Sequence, residues 1–247
     1  MKITIVIPTY NEAENLPKLA EKLFAVPLPE LNLLIVDDNS PDGTGKLAED
    51  LSVQYPGRIH VMHRSGKLGL GTAYIQGFER ALTLGADAVA QMDADFSHPP
   101  EKLVEMAAAI ENCDLVIGSR YIAGGSLDES WPFYRKLLSG FGNFYARTLL
   151  GGHIRDITGG FKMWRREALE RMPLDQVKSN GYMFQVEMGY IAEQMHLRIK
   201  EVPIYFAERI HGQSKIDFSI QLEAAISVWK LPGRYRGLRK EMHQRAR

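Results

Sequence analysis

The chain has 247 residues, 45% of them apolar and 24% charged, with equal numbers of acidic and basic residues. That composition supplies a sizeable core for one large domain, excludes long disorder, and gives no overall basic field of the kind that nucleic acid attracts. The single cysteine, Cys113, forms no internal disulfide, which suits a reducing compartment.

Residues 3–7 (ITIVI) read as a buried strand ended by Pro8. The opening run MKITIVIPTYNE is too short for a secretory leader and lacks a small-residue cleavage site. Residues 12–25 set Leu16, Leu19, Leu23 and Phe24 at helical spacing, with Asn11 the expected N-cap and Glu12 and Glu14 in the first turn. A second buried strand spans 31–38, and NSPDGT (39–44) has turn chemistry. Helices are expected over 44–55, 71–84 and 101–111, and strands over 58–62, 88–93 and 114–118. Beyond residue 120, an amphipathic helix is expected over 132–150, interrupted at Gly140 and Gly142. A short strand leading into a helix start follows over 156–169, then a helix over 181–195, a strand with an edge proline over 198–206, and a last amphipathic helix over 216–231. No run approaches the ~18 apolar residues of a membrane span. The end is basic: residues 230–247 hold seven Lys or Arg against one acidic residue, Glu241. It reads as a solvated tail or as a patch for anionic lipid headgroups.

This alternation predicts an α/β fold, a mostly parallel sheet with helices on both faces. Ligands of such sheets bind beyond the carboxyl ends of the strands, where PTYNE, DDNSPDGT and DADFSHPP fall. Asp93 and Asp95, two residues apart at a strand end, would point the same way and repel unless a divalent cation lies between them. Carboxylate oxygens suit Mg2+ or Mn2+, which also take phosphate oxygens. The plainer reading is a solvated turn in which Asp95 caps the next helix. Ser97 and His98 either add a contact or shape the turn. Asp37 and Asp38 suit a ribose hydroxyl or a base N–H, or form an Asx-turn. The stretch SGKLGLGTAYIQG (65–77) opens a helix with glycines that can approach phosphate, but in neither dinucleotide nor P-loop spacing. Arg120, Arg135, Lys136, Arg209 and Lys215 are surface charges singly and a set that neutralises phosphate together. There is no nucleophile elbow and no zinc-spaced Cys/His cluster.

VIPTYNEAENL, VDDNSPDGT, LGLGTAYIQG, MDADFSHPP, GSRY, DITGGFK, GYMFQVEM and EVPIYFAERIHGQSK occur in this order, over about residues 3–216. With these motifs the chain resembles inverting family 2 glycosyltransferases of GT-A, Rossmann-like fold, and within them the dolichyl- or polyprenyl-phosphate mannosyltransferases. The resemblance implies mannose transfer from GDP-mannose to a polyprenyl or dolichyl phosphate with Mg2+ or Mn2+. It implies that Pro8, Tyr10 and Glu12 line the nucleotide site and that Val36 and Asp38 hold guanosine. It further implies that Asp93, Ala94 and Asp95 meet the sugar nucleotide, the two aspartates through the metal. Ser97 stands where some relatives have a glutamine ligand. Arg120, Arg209 and Lys215 would meet phosphates, and Arg135 the acceptor phosphate, so that Asp93, Asp95, Arg120 and Arg135 carry the chemistry. A catalytic domain (1–215) would precede an amphipathic helix and basic tail (216–247). The lipid acceptor implies a peripheral protein on the cytoplasmic face of a membrane, held by 132–150 and 216–247 or by a separate anchoring subunit, with no nucleic-acid partner. The alternatives are a glucosyltransferase or another enzyme using a UDP-sugar, a DxD phosphohydrolase, and a non-catalytic sugar-nucleotide sensor.

Overall fold

A computed structural model describes residues 1–208 and 226–245. Its strands are β1 (Ile3–Thr9), β2 (Leu31–Asp37), β3 (Ile59–His63), β4 (Ala88–Gln91), β5 (Leu115–Ser119), β6 (Ser126–Leu127), β7 (Lys162–Arg165), β8 (Ile199–Pro203) and β9 (Tyr205–Phe206). Its helices are α1 (Leu16–Phe24), α2 (Thr44–Gln54), α3 (Leu70–Thr83), α4 (Lys102–Ile110), α5 (Phe133–Leu150), α6 (Arg166–Arg171), α7 (Gly181–Gln194), α8 (Leu231–Arg234) and α9 (Arg236–Arg245).

Seven strands form one sheet in the order β3-β2-β1-β4-β7-β5-β8, while β6 and β9 pair separately. All pairs in the large sheet are parallel except those of β7, which runs antiparallel between β4 and β5. All seven residues of β2 are buried, as a strand covered on both faces requires. Alternation sorts the side chains. Ile3, Ile5 and Ile7 face the core built with Leu16, Leu19, Leu103 and Met106, while Val6 faces the opposite core with Tyr74, Phe78 and Phe184. Gly77 lets α3 lie directly on β1, because a Cβ there would collide with the Val6 side chain.

The order reverses between β1 and β4, the switch point at which such sheets bind ligands. Thr9 is in register with Asp37, and Val6 with Gln91. The turns that follow β1, β2 and β4 therefore leave the sheet side by side.

Several elements differ from the sequence expectation. The first helix begins at Leu16 with Asn15 at its N-cap, and Asn11 sits in a left-handed turn at φ 62°. The backbone N–H groups of Asn11, Glu12 and Ala13 donate to Ser40 Oγ (3.1 Å), Thr44 Oγ1 (2.9 Å) and Asp42 Oδ2 (3.1 Å). These tertiary partners replace a helical turn and join the first rim motif to the second. The fourth strand ends at Gln91, so Asp93 and Asp95 lie in the turn beyond it rather than on one strand face. Helix α5 runs unbroken through Gly140 and Gly142. The strand expected over 198–206 divides at Ile204 into β8 and β9, with Pro203 on the sheet's edge strand. Most of the helix expected over 216–231 falls outside the described residues; within it, 226–228 are helical and α8 starts at Leu231. Val228, Leu231 and Tyr235 are buried in the same core as α7.

Candidate active site

The turn after β4 is held by its neighbours. Asp93 Oδ1 accepts from the Tyr74 hydroxyl at 3.2 Å. Tyr74 is fully buried and lies parallel to Phe184, with ring centroids 5.7 Å apart. Burial, then the Asp93 charge, pushes the Tyr74 phenol well above its usual range and keeps it a donor. The Asp93 N–H donates to His98 Nδ1 at 3.1 Å, which places the proton of a neutral imidazole on Nε2. Burial lowers the His98 pKa and favours that neutral form. Asp95 Oδ1 accepts from the Ser97 N–H (3.0 Å) and hydroxyl (2.6 Å). Ser97 thus supports Asp95, and Phe96 between them takes a left-handed φ of 65°. Asp95 forms an Asx-type turn and leaves the N-cap of α4 to Glu101. Ala94 is buried between the two aspartates.

At the second rim turn the adjacent aspartates differ. Asp37 accepts from Thr9 Oγ1 (3.1 Å), Ser40 Oγ (2.6 Å) and the Ser40 N–H (3.1 Å), so it shapes the turn. Asp38 faces Arg64, whose Nη1 donates to Oδ1 at 2.6 Å. Burial raises the Asp38 pKa, and Arg64 opposes the rise. Arg64 also donates to Thr72 Oγ1 at 2.5 Å and to the Gly69 carbonyl at 3.4 Å, so Asp38 is coupled to the glycine-rich stretch before α3. The Val36 side chain belongs to the core beside Gly77, and its position in β2 is paired with β1 on one side and β3 on the other. Pro8, expected to end the first strand, is half-buried inside β1, which runs on to Thr9, and Tyr10 carries Lys67 Nζ 4.6 Å from its ring centroid. The Glu12 carboxylate accepts from Asn15 Nδ2 at 2.8 Å.

The expected cations divide. Arg120 is committed to a buried carboxylate that the sequence reading passed over. Its Nε and Nη2 donate to the two oxygens of Asp156 at 2.7 and 2.6 Å, its backbone N–H to Oδ2 at 2.8 Å, and Nη2 also to Thr158. Arg120, expected to meet phosphate, thereby orders the DITGG segment. Arg135, in the first turn of α5, lies 3.6 Å over the Trp131 ring and pairs with Glu208 at 2.7 Å. Arg209 and Lys215 lie outside the described residues.

Phe206 joins these parts. Its ring meets His98 edge-on at 5.6 Å and Trp131 at 5.7 Å, and the Arg120 guanidinium lies 5.2 Å from it. Phe206 thus meets Arg120 directly, the aspartate turn through His98, and Arg135 through Trp131. Beneath the turn, Lys162 is fully buried and donates to the Gln185 carbonyl and side-chain oxygens, both at 2.9 Å. Burial depresses its pKa to about 7. The visible signal was a lysine within the apolar run GGFKMW.

Among the described residues no group of three or more His, Cys, Asp or Glu side chains could hold a metal alone. Asp93 and Asp95 offer two hard carboxylate donors on one turn. That set fits a Mg2+- or Mn2+-type ion whose remaining ligands are phosphate oxygens and water.

The pattern described as glycosyl transferase family 2 matches residues 4–172. The chain is 46% identical to the polyprenol monophosphomannose synthase of Mycolicibacterium smegmatis over 233 residues, 93% of this chain and 87% of that protein. It is 44% identical to the undecaprenyl-phosphate mannosyltransferase of Micrococcus luteus over 244 residues, 98% and 99% of the two chains. Among solved structures it is similar to glucosyl-3-phosphoglycerate synthase from Mycobacterium tuberculosis, solved with Mn2+, UDP and glucosyl-3-phosphoglycerate (TM-score 0.63, 18% identity, 94% and 79% covered). It is also similar to a mannosyltransferase from Pyrobaculum calidifontis, solved with GDP-Man and Mn2+ (TM-score 0.59, 18% identity, 99% and 69% covered). At such identity the two structures speak for the fold, the GT-A type.

Proposed function

This chain belongs to glycosyl transferase family 2, and we propose that it transfers mannose from GDP-mannose to a polyprenyl phosphate, with inversion at the anomeric carbon. The observation that carries this reading is near-full-length identity to two relatives whose names both join mannose to a polyprenyl carrier. Family membership decides against the phosphohydrolase and the non-catalytic sensor.

Asp93 and Asp95 would hold a divalent ion, which would supply positive charge beside the departing diphosphate. Tyr74, Ser97 and the backbone contact to His98 fix the two carboxylates before donor arrives. Asp38, held by Arg64, accepts from the guanine or its ribose, and Pro8, Tyr10 and Glu12 line the same end. Arg135 exchanges Glu208 for the acceptor phosphate, while Arg209 and Lys215 neutralise phosphate oxygens. The acceptor oxygen is already anionic, so its attack on the anomeric carbon requires no strong general base; the C–O bond to the diphosphate breaks as the new one forms.

The acceptor's lipid chain places this activity at a membrane surface. No helix among the described residues is long and apolar enough to cross a membrane. Helix α5 instead exposes one stripe, Phe133, Tyr134, Leu137, Leu138, Phe141 and Phe144, with Phe133 75% and Phe141 62% accessible. Its opposite face buries Asn143, Ala146 and Leu150. Exposed Trp229 donates to the Tyr145 hydroxyl at 2.7 Å and extends that surface toward the basic end. Such a stripe suits the headgroup boundary of a bilayer.

The test offers radiolabelled GDP-mannose, UDP-glucose and UDP-GlcNAc, each with a short polyprenyl phosphate. Lipid-linked label is expected from GDP-mannose alone; label from a UDP-sugar alone overturns the donor assignment.

A further inference from the structure

Glu187, on α7, is fully buried and distant in sequence from every rim motif. Its carboxylate gathers four donors. Oε2 accepts from the backbone N–H groups of Lys178 (3.2 Å) and Ser179 (2.8 Å), in the loop that leads into α7. Oε1 accepts from the Tyr235 hydroxyl at 2.9 Å and from Arg234 Nη1, both in the C-terminal segment. Tyr235 is itself buried, tilted against Tyr190 with centroids 6.2 Å apart, and Leu231 is buried beside it. One side chain thus ties the far end of the chain to the loop at 178–180.

That loop lies against the glycine-rich stretch. A Cβ at Gly71 would collide with the Ser179 carbonyl, and one at Gly69 would lie 2.7 Å from Asn180 Oδ1. Gly69 is a partner of Arg64, and Arg64 holds Asp38. One turn before Glu187 on the same helix, Phe184 stacks on Tyr74, whose hydroxyl holds Asp93. The start of α7 therefore braces both ends of the donor pocket through contacts that leave no slack.

We propose that residues 231–235 act through Glu187 as a positioning element for the donor pocket, setting the loop at 178–180 and with it the glycine-rich stretch, whose Gly69 carbonyl holds Arg64 and through it Asp38. Glu187 and Tyr235 touch no substrate in this arrangement. The proposal rests on the reading of the rim as a site for a nucleoside diphosphate.

The test is the full chain carrying Arg234→Met and Tyr235→Phe together, with Glu187→Gln as a second variant. Two readouts separate positioning from simple support of the fold. Amide exchange is expected to quicken at 64–73 and 176–182 while α1, α2 and α4 keep their protection. The GDP dissociation constant and the donor KM are expected to rise about five- to tenfold, the share of one ordinary hydrogen bond, with a smaller fall in kcat and no change in acceptor KM. Unchanged exchange at both segments, or a lowered melting temperature with unchanged GDP affinity, overturns the proposal. A wild-type chain that fails to bind GDP would sink the donor assignment instead, and the exchange readout would still decide this one.

Discussion

The Arg120 guanidinium closes on both carboxylate oxygens of Asp156 inside the fold, at 2.7 and 2.6 Å. Both side chains are buried, so removing one leaves the other charged and unmatched. Arg120→Met is expected to lower unfolding stability by about 3–5 kcal/mol, read from urea denaturation. Wild-type stability combined with a collapse of transfer would instead place Arg120 on substrate phosphate.

Arg64 bridges Asp38, Thr72 and the Gly69 carbonyl. A lysine brings a point charge and lacks the planar fork that spans all three. Arg64→Lys is expected to raise the donor KM about tenfold, a loss of about 1.4 kcal/mol, while acceptor KM stays fixed. Steady-state kinetics with each substrate varied in turn checks this, and an unmoved donor KM contradicts the role given to Asp38.

Lys162 gives a pH signature in stability. Its folded pKa, about 7, lies below the ordinary value of 10.5 because burial disfavours the ammonium. Above pH 10.5 both states are neutral and the stability is complete; as pH falls toward 7 the unfolded chain takes up a proton that the folded chain refuses, and stability is lost. Between pH 7 and 9.5 wild type is expected to gain roughly 3 kcal/mol more than Lys162→Met. Denaturant titrations of both proteins at the two pH values measure the difference; parallel gains would mean that Lys162 keeps its proton through this range.

The outline of the fold was legible because burial on both faces leaves apolar runs such as LLIV (33–36) in β2, and strand–helix alternation fixes a parallel sheet. The rim was legible because three polar motifs each interrupt such a run. Partnerships were not. Arg120 and Asp156 lie 36 residues apart, and Arg64 and Asp38 lie 26 apart. No periodicity encodes which buried charge meets which. Asn11 had the chemistry of an N-cap, yet neighbouring N–H groups found Ser40, Thr44 and Asp42 first. Gly140 and Gly142 each disfavour a helix by about 1 kcal/mol, and the packing of Asn143, Ala146 and Leu150 outweighs them in α5.

The apolar stripe of α5 makes membrane attachment testable separately from the basic end. Phe141→Asp is expected to reduce flotation with vesicles containing anionic lipid, and removal of 236–247, which spares the buried Leu231 and Tyr235, to reduce it further in low salt. Flotation unchanged in both variants, or a purified chain that fails to float at all, assigns attachment to another subunit.

The most direct measurement is a crystal structure of the chain with GDP and Mn2+, with the metal located by its anomalous signal. The expected result is one Mn2+ bonded to carboxylate oxygens of Asp93 and Asp95 and to the diphosphate. A bound nucleotide with both carboxylates turned away from a metal-free rim would contradict the account.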